Sequence, residues 1–332
     1  MPHKQHLVSE YEHGSGAWTD REQGFDTLQV HAGVRPDPIT GAILTPIYQS
    51  TTFVQESIEK YQARGYSYSR SRNPTVTVME ERICALENGS YCTLYGTGMA
   101  ATTTAISSLM NAGDHAIVTD CSYGGTNRAC RLFFTRLGME FSFVDMRDIA
   151  NVEKAIRPNT KLVISETPAN PTLTLIDIAA LSSLCKSHHL IHMCDNTFAT
   201  GYIMRPLDLG ADITFISTTK FVDGHDMTVG GALVTQDKNI DDKVRMTQNI
   251  LGNSMSPQVA FLQLQTSKTL SLRITKQSHT AQKIAEFLFT HPAVERVCYP
   301  GLSSFPQKEL ADRQHRNGLH GGMLWFEVRG GT

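Results

Sequence analysis

The sequence predicts an α/β protein: a mostly parallel sheet covered by helices, followed by a partial, smaller C-terminal α/β unit. Three observations lead there. From about residue 75, short apolar runs alternate with stretches of helical periodicity, the pattern of a parallel, helix-covered sheet. Several of those runs end in an acidic or hydroxyl residue, Glu166, Asp195 and Ser217 among them. Near residue 256 the texture changes, and a shorter set of helices and strands follows.

Taken in order, residues 1–65 are rich in turn signals (Gly14, Gly16, Gly24, Gly33, Pro36, Pro38, Gly41, Pro46) and poor in periodicity. They are expected to form an arm that wraps a neighbour. Residues 66–255 are expected to form the large domain. Within it, 78–86 places Met79, Ile83 and Leu86 at helical spacing, 100–110 reads as a buried helix, and 127–137 and 178–187 are helical. Strands are predicted at 115–119, 141–145, 162–166, 190–195 and 213–217. In residues 256–332, helices are predicted at 259–264 and 281–288 and strands at 294–300 and 323–328. In such sheets a ligand binds outside the carboxyl ends of the strands.

Composition removes several function classes. The 332 residues allow two or three domains, and 40% hydrophobic against 19% charged residues supplies a large core. A formal net charge of −2 and the absence of a long basic stripe give no reason to expect a nucleic-acid partner. No apolar run approaches the roughly 18 residues of a membrane span, and residues 1–20 lack a signal-peptide core. Seven scattered cysteines without a Cys-x-x-Cys pair suggest neither disulfides nor a zinc site. Thirteen histidines show no metal-ligand spacing, so no metal is expected. A reduced, cytoplasmic enzyme acting on a small molecule is the expectation.

The candidate chemistry centres on Lys220, in Ser217-Thr218-Thr219-Lys220-Phe221 ahead of Gly224-His225. A lysine beside hydroxyl residues after a strand can hold an aldehyde cofactor as a Schiff base, while Ser217 and Thr219 bind its phosphate. Gly98 and Met99 open a helix, where free N–H groups bind anions; a simple turn reads the same way. Asp195 ends a strand and suits a protonated ring nitrogen, or a helix cap. Tyr123, before Gly124-Gly125, can stack on a planar cofactor, or serve only as a turn residue. Tyr68 and Arg70 can bind phosphate, or form an ordinary surface loop.

The order of these signals is more specific than any one of them. Tyr68-Ser-Arg-Ser-Arg-Asn-Pro-Thr75, Gly98-Met-Ala-Ala101, Tyr123-Gly-Gly-Thr126, Glu166-Thr-Pro-Ala-Asn-Pro171, Asp195-Asn-Thr-Phe198, Arg205–Asp212, Ser217–Phe221 and Tyr299-Pro-Gly-Leu302 together resemble the Cys/Met-metabolism family of pyridoxal 5'-phosphate (PLP) enzymes. The likeness runs from about residue 25 onward. It implies the aspartate-aminotransferase-like fold (fold type I) and a homotetramer built as a dimer of dimers. It makes Lys220 the Schiff-base lysine, Asp195 the partner of the pyridine nitrogen and Tyr123 the stacking acid or base. Gly98, Met99, Ser217 and Thr219 become the phosphate cradle, and Asn170 lies near the cofactor's 3′ oxygen. Tyr68 and Arg70 would reach the neighbouring subunit's phosphate.

The closest motifs, at 124–128, 159–162 and 299–302, are similar to those of cystathionine γ-lyases in trans-sulfuration. Cystathionine γ-synthase, O-acylhomoserine sulfhydrylase and methionine γ-lyase chemistry use the same residues. Thr97, Gly201 and Asp226 depart from the usual pattern without removing a cofactor group. The sequence ends at Gly330-Gly331-Thr332, where family members continue into a segment carrying the substrate-carboxylate arginine. Arg273 and Arg329 are present, with no argument for either as its replacement. The expectation is therefore a shortened C-terminal domain. The reading from another class is an impaired chain that binds PLP or joins other subunits without turnover.

Overall fold

The structure, a computed structural model, describes residues 23–37 and 39–331. The expectation for residues 1–20 falls outside them. The main sheet has seven strands: β1 (Tyr91–Tyr95), β2 (His115–Thr119), β3 (Glu140–Val144), β4 (Thr160–Glu166), β5 (Ile191–Asp195), β6 (Ile213–Ile216) and β7 (Gly231–Thr235). Their order is β1-β7-β6-β5-β4-β2-β3. Pairs from β6 through β3 are parallel, and β7 alone runs against both its neighbours. The α/β class and its mostly parallel sheet are thus as the sequence predicts.

Both faces of the sheet are buried, which explains the near-continuous apolar runs. Ala116, Val118, Leu162, Ile164 and Met193 pack on one face with the helices Gly98–Leu109 and Lys238–Leu251. Ile117, Val163 and Cys194 pack on the other with Leu181 and Cys185 of the Ile178–Ser187 helix and Leu270 and Ile274 of the Leu270–Thr290 helix.

Differences from the predicted elements have local causes. β1 and β7 were not predicted. Each is a five-residue run beside glycines (Gly89 and Gly96, Gly230 and Gly231), and glycines signal loops more strongly than so short a run signals a strand. The helix expected at 127–137 is an α-turn, Gly124–Arg128, then a π segment, Ala129–Phe133, then a 3₁₀ turn, Phe134–Leu137, ended by Gly138 at φ 84°. Two helices, Phe25–His31 and Ile58–Arg64, lie in the turn-rich N-terminal stretch. Phe25 and Leu28 of the first pack on the core. Its Gln29 side chain donates to Ser271 Oγ (2.8 Å) and accepts from Ser271 N (2.9 Å).

After the helices Pro257–Thr266 and Leu270–Thr290 comes a two-stranded antiparallel sheet, β8 (Val294–Cys298) with β9 (Trp325–Val328). Ala281, Ala285, Tyr299 and Leu302 form one small core there. Among the described residues no helix is long and apolar enough to cross a membrane.

Candidate active site

The strand order places six chain turns at one end of the sheet. β1 ends at Tyr95, just before Gly98; β6 ends at Ile216, just before Ser217; β5 ends at Asp195; β4 ends at Glu166; β2 ends at Thr119, just before Tyr123. β7 begins there as well, since Gly231 pairs with Tyr95. Because β7 lies beside β6 and runs the other way, residues 217–230 return directly to the sheet as one loop, and Lys220 rides on it. Lys220 is exposed, its N–H donates to Ser217 O (3.2 Å), and its carbonyl accepts from Gly224 N (2.7 Å).

Two braces fix that loop. Thr219 Oγ1 donates to Gly230 O (3.2 Å) and accepts from Gly230 N (3.0 Å). Asp223 accepts from Thr228 Oγ1 (2.6 Å) and from the N–H groups of His225 (3.2 Å) and Met227 (3.1 Å). Arg273 closes it from outside, donating to Phe221 O (2.7 Å), Val222 O (3.2 Å) and Thr266 O (3.2 Å). Its guanidinium is occupied by backbone, which removes it as a free anion binder.

A helix start converges on Ser217, three residues before Lys220. The Gly98–Leu109 helix begins with Thr97 Oγ1 accepting from Ala100 N (3.0 Å). That leaves the first-turn amides of Gly98 and Met99 without an intrahelical acceptor. A Cβ at Gly98 would lie 3.1 Å from Ser217 Cβ and Oγ, so the helix start and the serine hydroxyl converge. Tyr123 is 48% exposed and leans over Gly125, where a Cβ would lie 2.5 Å from its Cε1 and 2.7 Å from Met99 Sδ.

Asp195 lies deeper. Thr197 N donates to its Oδ1 (2.9 Å), and Thr197 Oγ1 accepts from Ser217 N (2.9 Å). One two-residue step thereby joins the carboxylate to the backbone of Ser217. Burial raises the Asp195 carboxyl to about 6, and its Thr197 hydrogen bonds oppose that rise. Glu166 pairs in register with Asp195; burial and then the Asp195 charge push it to about 8. Glu166 accepts from Tyr123 N (2.5 Å) and Asn170 N (3.1 Å). A small cavity is lined by Thr102, Ser122, Thr126, Glu166, Asp195 and Phe215, and Ser122 Oγ is buried with no protein partner.

Gly98, Met99, Tyr123, Asn170, Asp195, Ser217, Thr219 and Lys220 therefore fall at one end of the sheet. Tyr68 and Arg70 stand apart from this group. Arg70 lies over the Tyr68 ring (5.2 Å to the centroid) and donates to Asn249 Oδ1 (3.2 Å). Glu166 and Thr197 were not among the sequence candidates. The signal for Glu166 was present, an acidic strand end one strand from Asp195; Thr197 had none beyond its place after Asp195.

The residues fit a phosphorylated planar aldehyde: converging amides and a hydroxyl for the phosphate, an aromatic face, a buried acid for a ring nitrogen and a primary amine. The comparisons agree. The family described as "Cys/Met metabolism PLP-dependent enzyme" matches residues 26–332. A probable cystathionine gamma-synthase of Herpetosiphon aurantiacus is 42% identical over 311 residues, 94% of this chain and 96% of that protein. An L-methionine gamma-lyase of Treponema denticola is 43% identical over 318 residues, 93% and 78% of the two chains. The crystal structure of cystathionine gamma-lyase from Lactobacillus plantarum, complexed with L-serine, superimposes with a TM-score of 0.89 at 40% identity, covering 93% of this chain and 79% of that one.

Proposed function

The chain belongs to the Cys/Met-metabolism family of PLP-dependent enzymes, and from that membership we propose that it carries out γ-elimination on a sulfur amino acid, as a cystathionine γ-lyase does, giving cysteine, 2-oxobutanoate and ammonia. PLP is its cofactor. The observation that carries the proposal is the placing of Lys220, Asp195, Tyr123 and the Gly98–Ser217 cradle at one end of the sheet.

When bound, PLP supplies an aldehyde and an electron-accepting ring. In this reading Lys220 Nζ would hold the cofactor's aldehyde and, once free, would take the proton from the substrate Cα. Asp195 keeps a proton on the ring nitrogen. Tyr123 stacks on the ring and gives a proton to the departing sulfur. Gly98, Met99 and Ser217 bind the phosphate, with Thr219 holding the loop through Gly230. Asn170 would lie beside the 3′ oxygen. The exposed Tyr68–Arg70 pair serves the neighbouring subunit of a homo-oligomer.

Adding a thiol in place of releasing ammonia would use the same groups, and the γ-synthase among the relatives keeps that second reading open. Purified holoprotein given cystathionine should yield 2-oxobutanoate and cysteine. Given an O-acylhomoserine with cysteine, a synthase would instead yield cystathionine. Product from the second pair and none from the first would replace the lyase reading.

A further inference from the structure

We propose that Glu166 is the positioning residue of this site, its single carboxyl group fixing the Tyr123 loop and the Asn170 loop against the Asp195 strand end. The strand order makes this possible. β2, β4 and β5 are consecutive neighbours, so the loop after β2, the end of β4 and the end of β5 stand side by side. Glu166 is the middle one. Its Oε2 accepts from Tyr123 N (2.5 Å) and its Oε1 from Asn170 N (3.1 Å). Its Cα partner across the ladder is Asp195. The side chain is buried, at 8% exposure, and among the described residues no cation pairs with it.

A carboxyl is the group that suits this place. It presents two acceptor oxygens, one for each loop, whereas an amide presents one oxygen and two donors. Burial and the neighbouring Asp195 charge push the Glu166 carboxyl up from the usual carboxylate range, while its two backbone N–H bonds oppose that rise. Tyr123 and Asn170 are exposed at their side chains; their backbones, not their side chains, are what Glu166 grips. Glu166 therefore acts on the cofactor through the angle at which the Tyr123 ring is held.

The inference rests on the reading that PLP is seated on Lys220 against Tyr123. Borohydride labelling of Lys220 in the parent protein tests that reading separately. Glu166→Gln tests the inference itself: one of the two N–H groups then faces a donor. PLP titrated into the apoprotein should bind about tenfold more weakly, the cost of one buried hydrogen bond broken. The visible circular dichroism of bound PLP should change, while borohydride still labels Lys220. In a Tyr123→Ala background, which keeps the backbone N–H but loses the ring, Glu166→Gln should leave the dichroism unchanged, and its effect on affinity should be clearly less than additive. Should Glu166→Gln not fold, Glu166→Asp keeps the carboxyl group but is one methylene too short to reach both loops, and should shift affinity and dichroism the same way. Parental affinity and dichroism in either variant, or full additivity with Tyr123→Ala, would overturn the assignment and leave Glu166 as a merely structural residue.

Discussion

Gly98 and Ser217 approach so closely that a methyl group on Gly98 would lie 3.1 Å from both Cβ and Oγ of Ser217. The two residues follow β1 and β6, strands separated in the sheet by β7 alone. Crowding of this kind costs ~1–3 kcal/mol. Gly98→Ala should therefore weaken PLP binding about tenfold and lower the apoprotein's melting temperature by a few degrees at most. Titrating the apoprotein with PLP by absorbance checks this. An unchanged Kd would separate the glycine–serine approach from phosphate binding.

Gly125→Ala addresses the stacking face. Its new Cβ would lie 2.5 Å from Tyr123 Cε1 and 2.7 Å from Met99 Sδ. The methionine can turn aside at low cost; the ring must swing. Borohydride should still label Lys220, but the visible dichroism of bound PLP should change and kcat should fall about tenfold, a loss of ~1.4 kcal/mol in transition-state stabilisation. Parental dichroism and kcat together would show that the Tyr123 ring is not set by Gly125.

Arg82 is fully buried and, among the described residues, has no carboxylate partner. Its guanidinium donates to Val30 O (2.9 Å), Ala32 O (3.3 Å) and Leu264 O (3.0 Å). It fastens the end of the Phe25–His31 helix to the large sheet's helical layer. Burial lowers its pKa to about 10, so it stays charged at neutral pH. Arg82→Ala leaves a cavity and unpaired carbonyls, and should cost about 3 kcal/mol or more. Urea denaturation measures this, and limited proteolysis should cut first near residue 30. A loss under 1 kcal/mol would refute the role.

The pH dependence of apoprotein stability follows from buried carboxyls. Burial raises Glu81 and Glu87 to about 7, and burial with Asp195 raises Glu166 to about 8, all from 4.5. A group with a higher pKa folded than unfolded binds more proton when folded. Its stabilisation is therefore present below the unfolded value and is lost as pH rises through the folded one. Burial depresses His192 and His315 to about 3 from 6.5. Their effect has the opposite sign and is complete by about pH 6.5. Between pH 6.5 and 8 the carboxyls act alone, and the melting temperature should fall. Glu87→Gln should flatten part of that slope. A melting temperature that rises over this interval would contradict the account.

Much of this was legible in the sequence, and the reasons are specific. The strands ending at Glu166 and Asp195 are apolar on both faces and end in a charge, a pattern few other segments produce. Asp195 ends such a strand, and Tyr123 and Lys220 follow the apolar strands β2 and β6, so their convergence follows from the sheet. β7 was not legible, since its five residues begin with one glycine and follow another, and with it went the reason the Lys220 loop returns directly to the sheet. The grip of Glu166 on two loops was hidden for another reason. It depends on β2 and β4 being neighbours, and strand order is not written in any local pattern. The occupation of Arg273 by three carbonyls likewise needed the fold. Its sequence neighbourhood, a long helix, does not show that its tip closes the loop after Lys220.

The central claim is that Lys220 anchors the cofactor. Holoprotein reduced with borohydride, digested and analysed by mass spectrometry should carry a pyridoxyl-phosphate adduct on Lys220, and Lys220→Ala should carry none and show no turnover. An adduct on another lysine in the parent protein, or cofactor-dependent turnover that survives in Lys220→Ala, would contradict the account.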